Sequence, residues 1–176
     1  MIAQICNNRK VSLYFNFIKY FVWVLSIEFI LLTTTGMNPE TLSYLPQRPP
    51  FVMIGELVLA DEVHTIATYT IPEDNLFVNN GVFSESGMIE NMAQTAGAGV
   101  GYRTLNMGKP LQTGYIAALR NVKISARPRV NDPITTEITF QQSLLGFHLV
   151  IGKIRLDDIE IASCEFKIFV NNNQQQ

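Results

Sequence analysis

Apolar residues recur at helical spacing in one long segment of this chain and at strand spacing in most of the remainder. Between about residues 86 and 107 the apolar positions lie three or four residues apart, which predicts one helix with Ser86 as its N-cap. Runs rich in β-branched and aromatic residues, with clear alternation over 64–71, predict the strands: 51–60, 64–71, 111–125, 134–143, 147–156 and 159–170. Two strands, one long helix and then antiparallel strands indicate an α+β fold, with the helix against a large curled sheet.

A carboxylate and an amide fall on one face near the start of the predicted helix. Glu90 lies near the first turn, and Gln94 follows one turn later on the same face. Burial beside so apolar a face would raise the pKa of the Glu90 carboxyl and make it a candidate proton donor or base. The alternative is a structural carboxylate that the helix dipole stabilises. Glu90 is therefore the candidate catalytic residue, with the structural role left open.

Three glycines interrupt the same helix at alternate positions. Gly97, Gly99 and Gly101 each cost about 1 kcal/mol relative to alanine in a helix interior. Together with the neighbouring alanines they give the helix a slim surface. We expect other backbone to pack closely against it.

The first 36 residues do not fit the pattern of the remaining chain. They are strongly apolar and aromatic, but Lys19 and Glu28 interrupt the run, and a charge near the middle of a membrane span costs about 2.5–3.5 kcal/mol. A membrane anchor, a secretory signal and a misassigned start with translation from Met37 all remain open. The expected organisation is an N-terminal segment, a single folded domain and a polar tail: 1–36, 37–170 and 171–176.

Composition and charge narrow the possible partners. A hydrophobic share of 47% and a charged share of 16% fit a folded protein rather than a disordered one. The formal net charge is −2, yet between Glu90 and Asp132 all charged side chains are basic: Arg103, Lys109, Arg120, Lys123, Arg127 and Arg129. Such a patch on an acidic protein favours a specific anionic partner over nucleic acid. Solvated charges at strand ends are the alternative.

Cysteine and histidine are too sparse for a disulfide framework or a metal site. Cys6 and Cys164 are far apart in the sequence, as are the two histidines, His64 and His148. We therefore expect no metal and no cofactor. The cysteine content suits a reducing compartment, and a cytoplasmic location is expected.

Two short motifs occur on either side of the first predicted strands. Residues 45–51 are Leu-Pro-Gln-Arg-Pro-Pro-Phe, and residues 90–94 are Glu-Asn-Met-Ala-Gln. They resemble the opening Leu-Pro-His-Arg-x-Pro-Phe and the helix start Glu-x-Met-Ala-Gln of the β-hydroxyacyl-acyl carrier protein dehydratases. Residues 114–122 also resemble that family's strand after the helix. The similarity spans residues 42–170 with the same order of elements.

The resemblance implies a hotdog fold, in which a sheet wraps one long helix and two subunits pair so that each active site lies at their interface. The chemistry it implies is the elimination of water from a 3-hydroxyacyl thioester on acyl carrier protein. By position, Glu90 is the catalytic carboxylate and Gln94 its neighbour, while the amides of Gly87 and Met88 are candidates to polarise the thioester carbonyl. Carrier-protein docking falls to a basic set: Arg120, Lys123, Arg127 and Arg129.

The loop before the helix departs from the family. Where the family has Gly-His-Phe-Pro-Gly, residues 78–84 are Val-Asn-Asn-Gly-Val-Phe-Ser. The catalytic histidine is missing, which resembles a divergent branch of dehydratases in aryl-polyene and related pigment pathways. Asn80 and Gly81 in this loop are candidates for substrate binding, but an amide is no base near neutral pH.

Neither remaining histidine is an evident replacement. His148 lies within a predicted strand, where a lone histidine is more often structural, and His64 begins a strand after an acidic turn. The sequence therefore leaves three hypotheses. The first is a dehydratase-like enzyme acting on acyl carrier protein thioesters as a homodimer or heterodimer. The second is a catalytically silent hotdog subunit that binds thioesters or pairs with an active partner, and the third is a thioesterase of the same fold.

Overall fold

The computed structural model describes residues 38–144 and 146–170 of the chain. A five-residue helix that the sequence pattern did not predict opens this part, and Asn38 caps it by accepting a hydrogen bond from the Glu40 amide at 2.9 Å. The elements in chain order are α1 (Pro39–Ser43), β1 (Glu56–Ala60), β2 (His64–Thr70), β3 (Val78–Asn79), β4 (Val82–Phe83), α2 (Glu85–Asn106), β5 (Gly114–Ile124), β6 (Pro133–Leu144), β7 (Phe147–Leu156) and β8 (Ile159–Val170).

Six strands form one antiparallel sheet in the order β1-β2-β6-β7-β8-β5. Strands β6, β7 and β8 follow one another in the sequence, and each pairs with the next. In the turn between β7 and β8, Asp157 and Asp158 have φ angles of 48° and 64°, which aspartate tolerates better than most residues. Strands β1 and β5 are the edges of this sheet.

The helix α2 packs across one face of the sheet and encloses the main core. Met88 and Met92 on the helix are fully buried, and so are Ile138, Val150 and Phe166 on the strands. The described part is therefore an α+β fold with one long helix against a large antiparallel sheet, and the predicted fold class is confirmed.

The prediction that Ser86 caps α2 was wrong by two residues. The cap is Ser84, which has extended backbone angles and accepts a hydrogen bond from the Gly87 amide at 3.3 Å. Because the helix begins at Glu85, Glu90 lies in its second turn, and Glu85 occupies the first turn instead. The helix dipole acts mainly within the first turn, so it explains the position of Glu85 better than that of Glu90.

The predicted strand over residues 51–60 begins only at Glu56. Residues 51–53 run beside α2 instead of pairing in the sheet, because the side-chain amide of Gln94 bonds to the backbone of Phe51 and Met53. The loop predicted before the helix contains a small hairpin of β3 and β4. Asn80 and Gly81 form its turn with φ angles of 51° and 73°.

Strand β5 contains an irregularity near its middle. The register with β8 shifts between Arg120 and Lys123, where Asn121 has a φ of 50°. The predictions for residues 1–36 and 171–176 concern segments outside the described residues. Within the described part, no helix is both long enough and apolar enough to cross a membrane.

Candidate active site

A cavity of about 330 Å³ lies beside α2 and borders the main core. Its other walls are formed by residues 44–47, the start of β5 and the ends of β6, β7 and β8. Residues 44–47 belong to the entry segment, residues 44–55, which precedes β1. Its lining comprises Tyr44, Leu45, Pro46, Gln47, Glu90, Ala93, Gln94, Ala96, Gly97, Val100, Gln112, Thr113, Gly114, Tyr115, Ile116, Phe140, His148 and Ile168. Sites that bind small molecules are commonly concave and mostly apolar with a few polar groups, and this cavity fits that description.

The Glu90 carboxylate is held at one end of this cavity. Gln94 Nε2 donates to Glu90 Oε1 at 2.7 Å and to the carbonyl of Phe51 at 2.7 Å, while Gln94 Oε1 accepts from the Met53 amide at 2.7 Å. Three bonds fix the Gln94 amide, so Gln94 in turn fixes one oxygen of Glu90. The structure brings the two residues together as the sequence predicted and gives Gln94 a positioning role.

The next residue of the same motif serves the core. The side-chain nitrogen of Asn91 donates to the carbonyl of Met53 at 2.6 Å, and its oxygen accepts from the hydroxyl of Thr136 at 2.5 Å. Nearby, Asn75 donates to the hydroxyl of Tyr69 at 2.6 Å. Burial raises the pKa of Tyr69 to about 12, so its hydroxyl stays neutral. These buried polar groups join the entry segment, the helix and the sheet.

The three glycines of the predicted slim surface have different neighbours. A Cβ built at Gly99 would clash with the side chain of Thr65, and one at Gly101 would clash with the backbone of Tyr44. A Cβ at Gly97 would meet only Leu45 Cδ2, at an ordinary 3.5 Å. Close packing therefore requires glycine at two of these positions, whereas Gly97 opens onto the cavity.

His148 lines the same cavity but lies at the end remote from Glu90. Thr136 on β6 bonds to Asn91 in the N-terminal half of α2, and Arg103 in the C-terminal half lies 4.8 Å from the ring centre of Phe140. Strand β6 therefore follows the helix, over about 18 Å between Asn91 and Arg103. His148 pairs with Ser143, three residues beyond Phe140.

Each of the two histidines has a polar side chain close to its Nδ1 atom. His148 Nδ1 lies 2.8 Å from Ser143 Oγ. His64 Nδ1 lies 3.7 Å from Asp61 Oδ1, and His64 does not line the cavity. The sequence favoured a structural role for His148. The structure adds that His148 lines the cavity, at the end away from the Glu90 carboxylate.

The amides proposed for the thioester carbonyl already have acceptors. The Gly87 amide donates to Ser84 Oγ, and the Met88 amide donates to the carbonyl of Ser84 at 3.0 Å. Both residues are buried, and a Cβ at Gly87 would overlap the ring of Phe83. The structure places neither amide in the cavity lining, because the helix starts earlier than predicted and these amides close its first turn.

Asn80 and Gly81 also lie outside the cavity lining. Their hairpin packs against the segment after β5, since the Val130 amide donates to the carbonyl of Gly81 at 3.1 Å and Val82 bridges to Arg129. Both turn residues are exposed. The structure therefore separates these two candidates from Glu90 and Gln94.

The predicted docking residues lie along β5 and the loop that follows it, all exposed. Arg120 and Lys123 are on the edge strand itself. Arg127 Nη1 lies 3.5 Å from the Glu85 carboxylate, and the Arg129 amide donates to Asp132 at 2.7 Å. Arg127 therefore lies beside the start of α2, and none of the four residues lines the cavity.

Gln47 is a cavity residue that the sequence analysis did not include among the site residues. It occupies the position where the resembling family often has histidine. Its Oε1 atom is buried and, among the described residues, has no hydrogen-bond partner. An unpaired buried acceptor costs about 1–3 kcal/mol, so a donor on a bound molecule would be favourable here. The departure from the family motif was the available signal.

Over residues 38–144 and 146–170 there is no group of three or more His, Cys, Asp and Glu side chains that could hold a metal ion.

Comparisons with known proteins agree with this architecture. A model of the ApeP dehydratase family matches residues 39–176. The dehydratase heterocomplex ApeI:P from Xenorhabdus doucetiae is similar to the chain with a TM-score of 0.71 and 18% identity, over 76% of this chain and 91% of that one. No curated protein matches the chain significantly.

Two further solved structures have the same fold. An uncharacterised protein from Pyrococcus horikoshii has a TM-score of 0.58 and 14% identity, over 74% of this chain and 93% of that one. A hypothetical thioesterase from Streptococcus pneumoniae, with coenzyme A, has a TM-score of 0.53 and 13% identity, over 66% and 84%. These likenesses confirm the hotdog fold, and the family match confirms the divergent dehydratase resemblance. The chain belongs to the ApeP dehydratase family.

Proposed function

We propose that this chain acts on 3-hydroxyacyl thioesters carried by acyl carrier protein and takes part in the elimination of water from them. The observation that carries the proposal is the Glu90 carboxylate, which Gln94 holds at one end of a mostly apolar cavity. A fixed carboxylate beside an apolar slot suits an acid/base reaction on a substrate with an acyl chain.

The proposed reaction removes a proton from C2 of the acyl chain and the hydroxyl from C3, which leaves with a proton as water. The carboxylate of Glu90 is the group that we assign to proton transfer. Because Gln94 occupies one carboxylate oxygen, the other oxygen is the one assigned to the substrate.

The second acid/base group is proposed to come from a partner subunit. The imidazole that lines the cavity, His148, lies at the remote end, so it is poorly placed to work with Glu90. Strand β5 is an edge of the sheet with exposed apolar side chains, among them Tyr115, Ile116 and Val122. Gly114 and Ile116 on this edge also line the cavity. A subunit paired along β5, identical or not, would therefore lie beside the site.

A second candidate function is a catalytically silent subunit that completes the site of an active partner. The remote position of His148 favours this candidate. It leaves Glu90 without a nearby second acid/base group, so the carboxylate could contribute to a site that an active partner completes. The heteromeric assembly of the similar ApeI:P complex supports the same idea. A thioesterase activity, with Glu90 activating water, is the third candidate.

Carrier docking is assigned to the exposed basic stretch on and after β5. Arg120, Lys123 and Arg129 would attract an acidic carrier from the side on which β5 borders the cavity. Such an attraction weakens with ionic strength, as expected for exposed charges. We place this reaction in the cytoplasm, in line with the cysteine content.

The test uses the full chain with 3-hydroxyacyl carrier protein and follows the acyl mass for a loss of about 18 Da, one water. We expect Glu90→Gln to abolish the loss. Glu85→Gln is the matched control, because it removes the same charge from an exposed site on the same helix. Water loss that survives Glu90→Gln contradicts the proposal. Water loss that requires an added hotdog partner supports the silent-subunit candidate, and free acid supports a thioesterase.

A further inference from the structure

We infer that Gly97 sets the width of the cavity midway along α2 and thereby admits an extended, unbranched acyl chain past this point. The inference rests on the proposed function only in taking the occupant to be an acyl thioester whose reacting end lies at Glu90. Gly97 is a specificity-determining residue in this scheme, with no part in proton transfer.

The glycines of α2 differ in the space that surrounds them. At Gly87, Gly99 and Gly101 an added Cβ would collide with neighbouring residues, so packing of the fold excludes a side chain. At Gly97 the one heavy atom within 4 Å of an added Cβ is Leu45 Cδ2, at 3.5 Å. Packing within the described chain therefore does not require glycine there. Gly97 is exposed and lines the cavity, so a larger residue there would border the cavity.

The cavity is long and narrow. Glu90 and Val100 both line it, and ten residues of α-helix separate them, about 15 Å. A volume of about 330 Å³ spread along that length makes a narrow slot, near the lower end of the usual range for ligand sites. A slot of this shape accommodates a single extended chain better than a branched or bulky group.

The side chains that line the slot change from polar at one end to apolar toward the other. Glu90 and Gln94 are at one end, and the row of Ile116, Ile168 and Phe140 lies toward the other. Cross-strand pairing sets Ile168 between Ile116 and His148, so these side chains share one face of the sheet. A reacting thioester at Glu90 therefore directs its tail past Gly97 toward this apolar row.

Chain length makes the inference testable, because Gly97 lies about 10 Å along the helix from Glu90. A four-carbon acyl group held at Glu90 ends well before Gly97, whereas a twelve-carbon group passes it. A large side chain at position 97 should therefore exclude the long chain and spare the short one. A general defect in the fold or in the reacting end would affect both.

The experiment measures binding of butyryl- and dodecanoyl-pantetheine to the full chain by titration calorimetry. These saturated thioesters carry no 3-hydroxyl, so binding is independent of dehydration. We expect Gly97→Leu to weaken dodecanoyl binding at least about tenfold and to leave butyryl binding within about twofold. Asn106→Leu places the same leucine side chain at an exposed site on α2 outside the lining and should change neither. Gly97→Ala should unfold at the same temperature as the unmodified chain or higher.

Several results would overturn the inference. Equal weakening of both chain lengths, or none, would remove Gly97 from specificity. A changed oligomeric size in Gly97→Leu by gel filtration would instead assign Gly97 to a contact between subunits. Failure of the unmodified chain to bind either thioester would show that the cavity is no acyl site. If long-chain binding depends on Gly97 but no water is lost from a 3-hydroxyacyl carrier, the proposed function fails while this inference stands.

Discussion

Along α2, the side that packs closely on β2 and β6 and the side that borders the cavity use similar residue types in different ways. On the sheet side, Asn91 bonds to Met53 and Thr136, and Gly99 meets the side chain of Thr65. On the cavity side, Glu90 has one bonded oxygen and Gly97 has an open neighbourhood. A polar group or a glycine thus acquires its role from what packs against it, which residue type alone does not specify.

The largest loss of stability should come from replacing Asn91, the polar residue on the side of α2 that packs closely on the sheet. Asn91→Leu keeps the approximate volume but leaves the Met53 carbonyl and the Thr136 hydroxyl without their partner. We expect the free energy of unfolding to fall by about 2–4 kcal/mol, measured by urea denaturation. Asn106→Leu, exposed near the end of the same helix, is the control and should change it by less than about 0.5 kcal/mol. A small loss at Asn91 would mean that the sheet side tolerates unpaired groups.

The two glycine classes should respond to alanine with opposite signs. Gly101→Ala forces a methyl group against the Tyr44 backbone, and we expect a loss of about 1–3 kcal/mol of unfolding free energy. Gly97→Ala adds a methyl group in open space, so we expect a gain of up to about 1 kcal/mol from helix propensity. Urea denaturation of both variants measures the difference. Equal losses at the two positions would erase the distinction between the faces.

Gln94 connects the two faces, because it bonds both to the entry segment and to Glu90. Gln94→Leu removes three hydrogen bonds and frees the carboxylate to move. We expect stability to fall by about 1–2 kcal/mol and turnover to fall about 10- to 100-fold through lost positioning. Steady-state kinetics should place the loss in kcat more than in KM. A stability loss with unchanged turnover would mean that Glu90 needs no positioning.

The smallest effect should appear only at alkaline pH, at Tyr69 in the core. Its folded pKa of about 12 exceeds the unfolded value of about 10. Its neutral form therefore contributes stability that is fully present below about pH 10 and is lost as the pH rises toward about 12. Unfolding free energies measured at about pH 9 and about pH 11 should fall less steeply for Tyr69→Phe than for the unmodified chain. Parallel slopes would contradict this assignment.

Local pattern was sufficient for the helix and for most of the sheet. The spacing of Met88, Met92 and Ala96 predicted the core face of α2, and alternation predicted β6, β7 and β8. The same spacing put Glu90 and Gln94 on one face, and the structure joins them by a hydrogen bond.

The errors involve contacts between distant parts of the sequence. Residues 51–54 form a continuous apolar run that suits a strand, yet Gln94, 41 residues after Met53, binds this segment to the helix instead. Ser84 and Ser86 are equally good N-caps by residue type, and the backbone conformation decides between them. The cavity position of His148 depends on the order of strands in the sheet, which no local period reveals.

The position of β5 has a further consequence for how the chain folds. Strands β6, β7 and β8 are neighbours in sequence and can close as successive hairpins, whereas β5 pairs with β8 across that whole unit, with Gly114 opposite Val170. Closing so long a loop carries an entropic cost before any contact forms. We therefore expect β5 to dock late in folding. Since β5 borders the cavity and bears the free edge, the pocket and the surface for a second subunit would mature in the same final step.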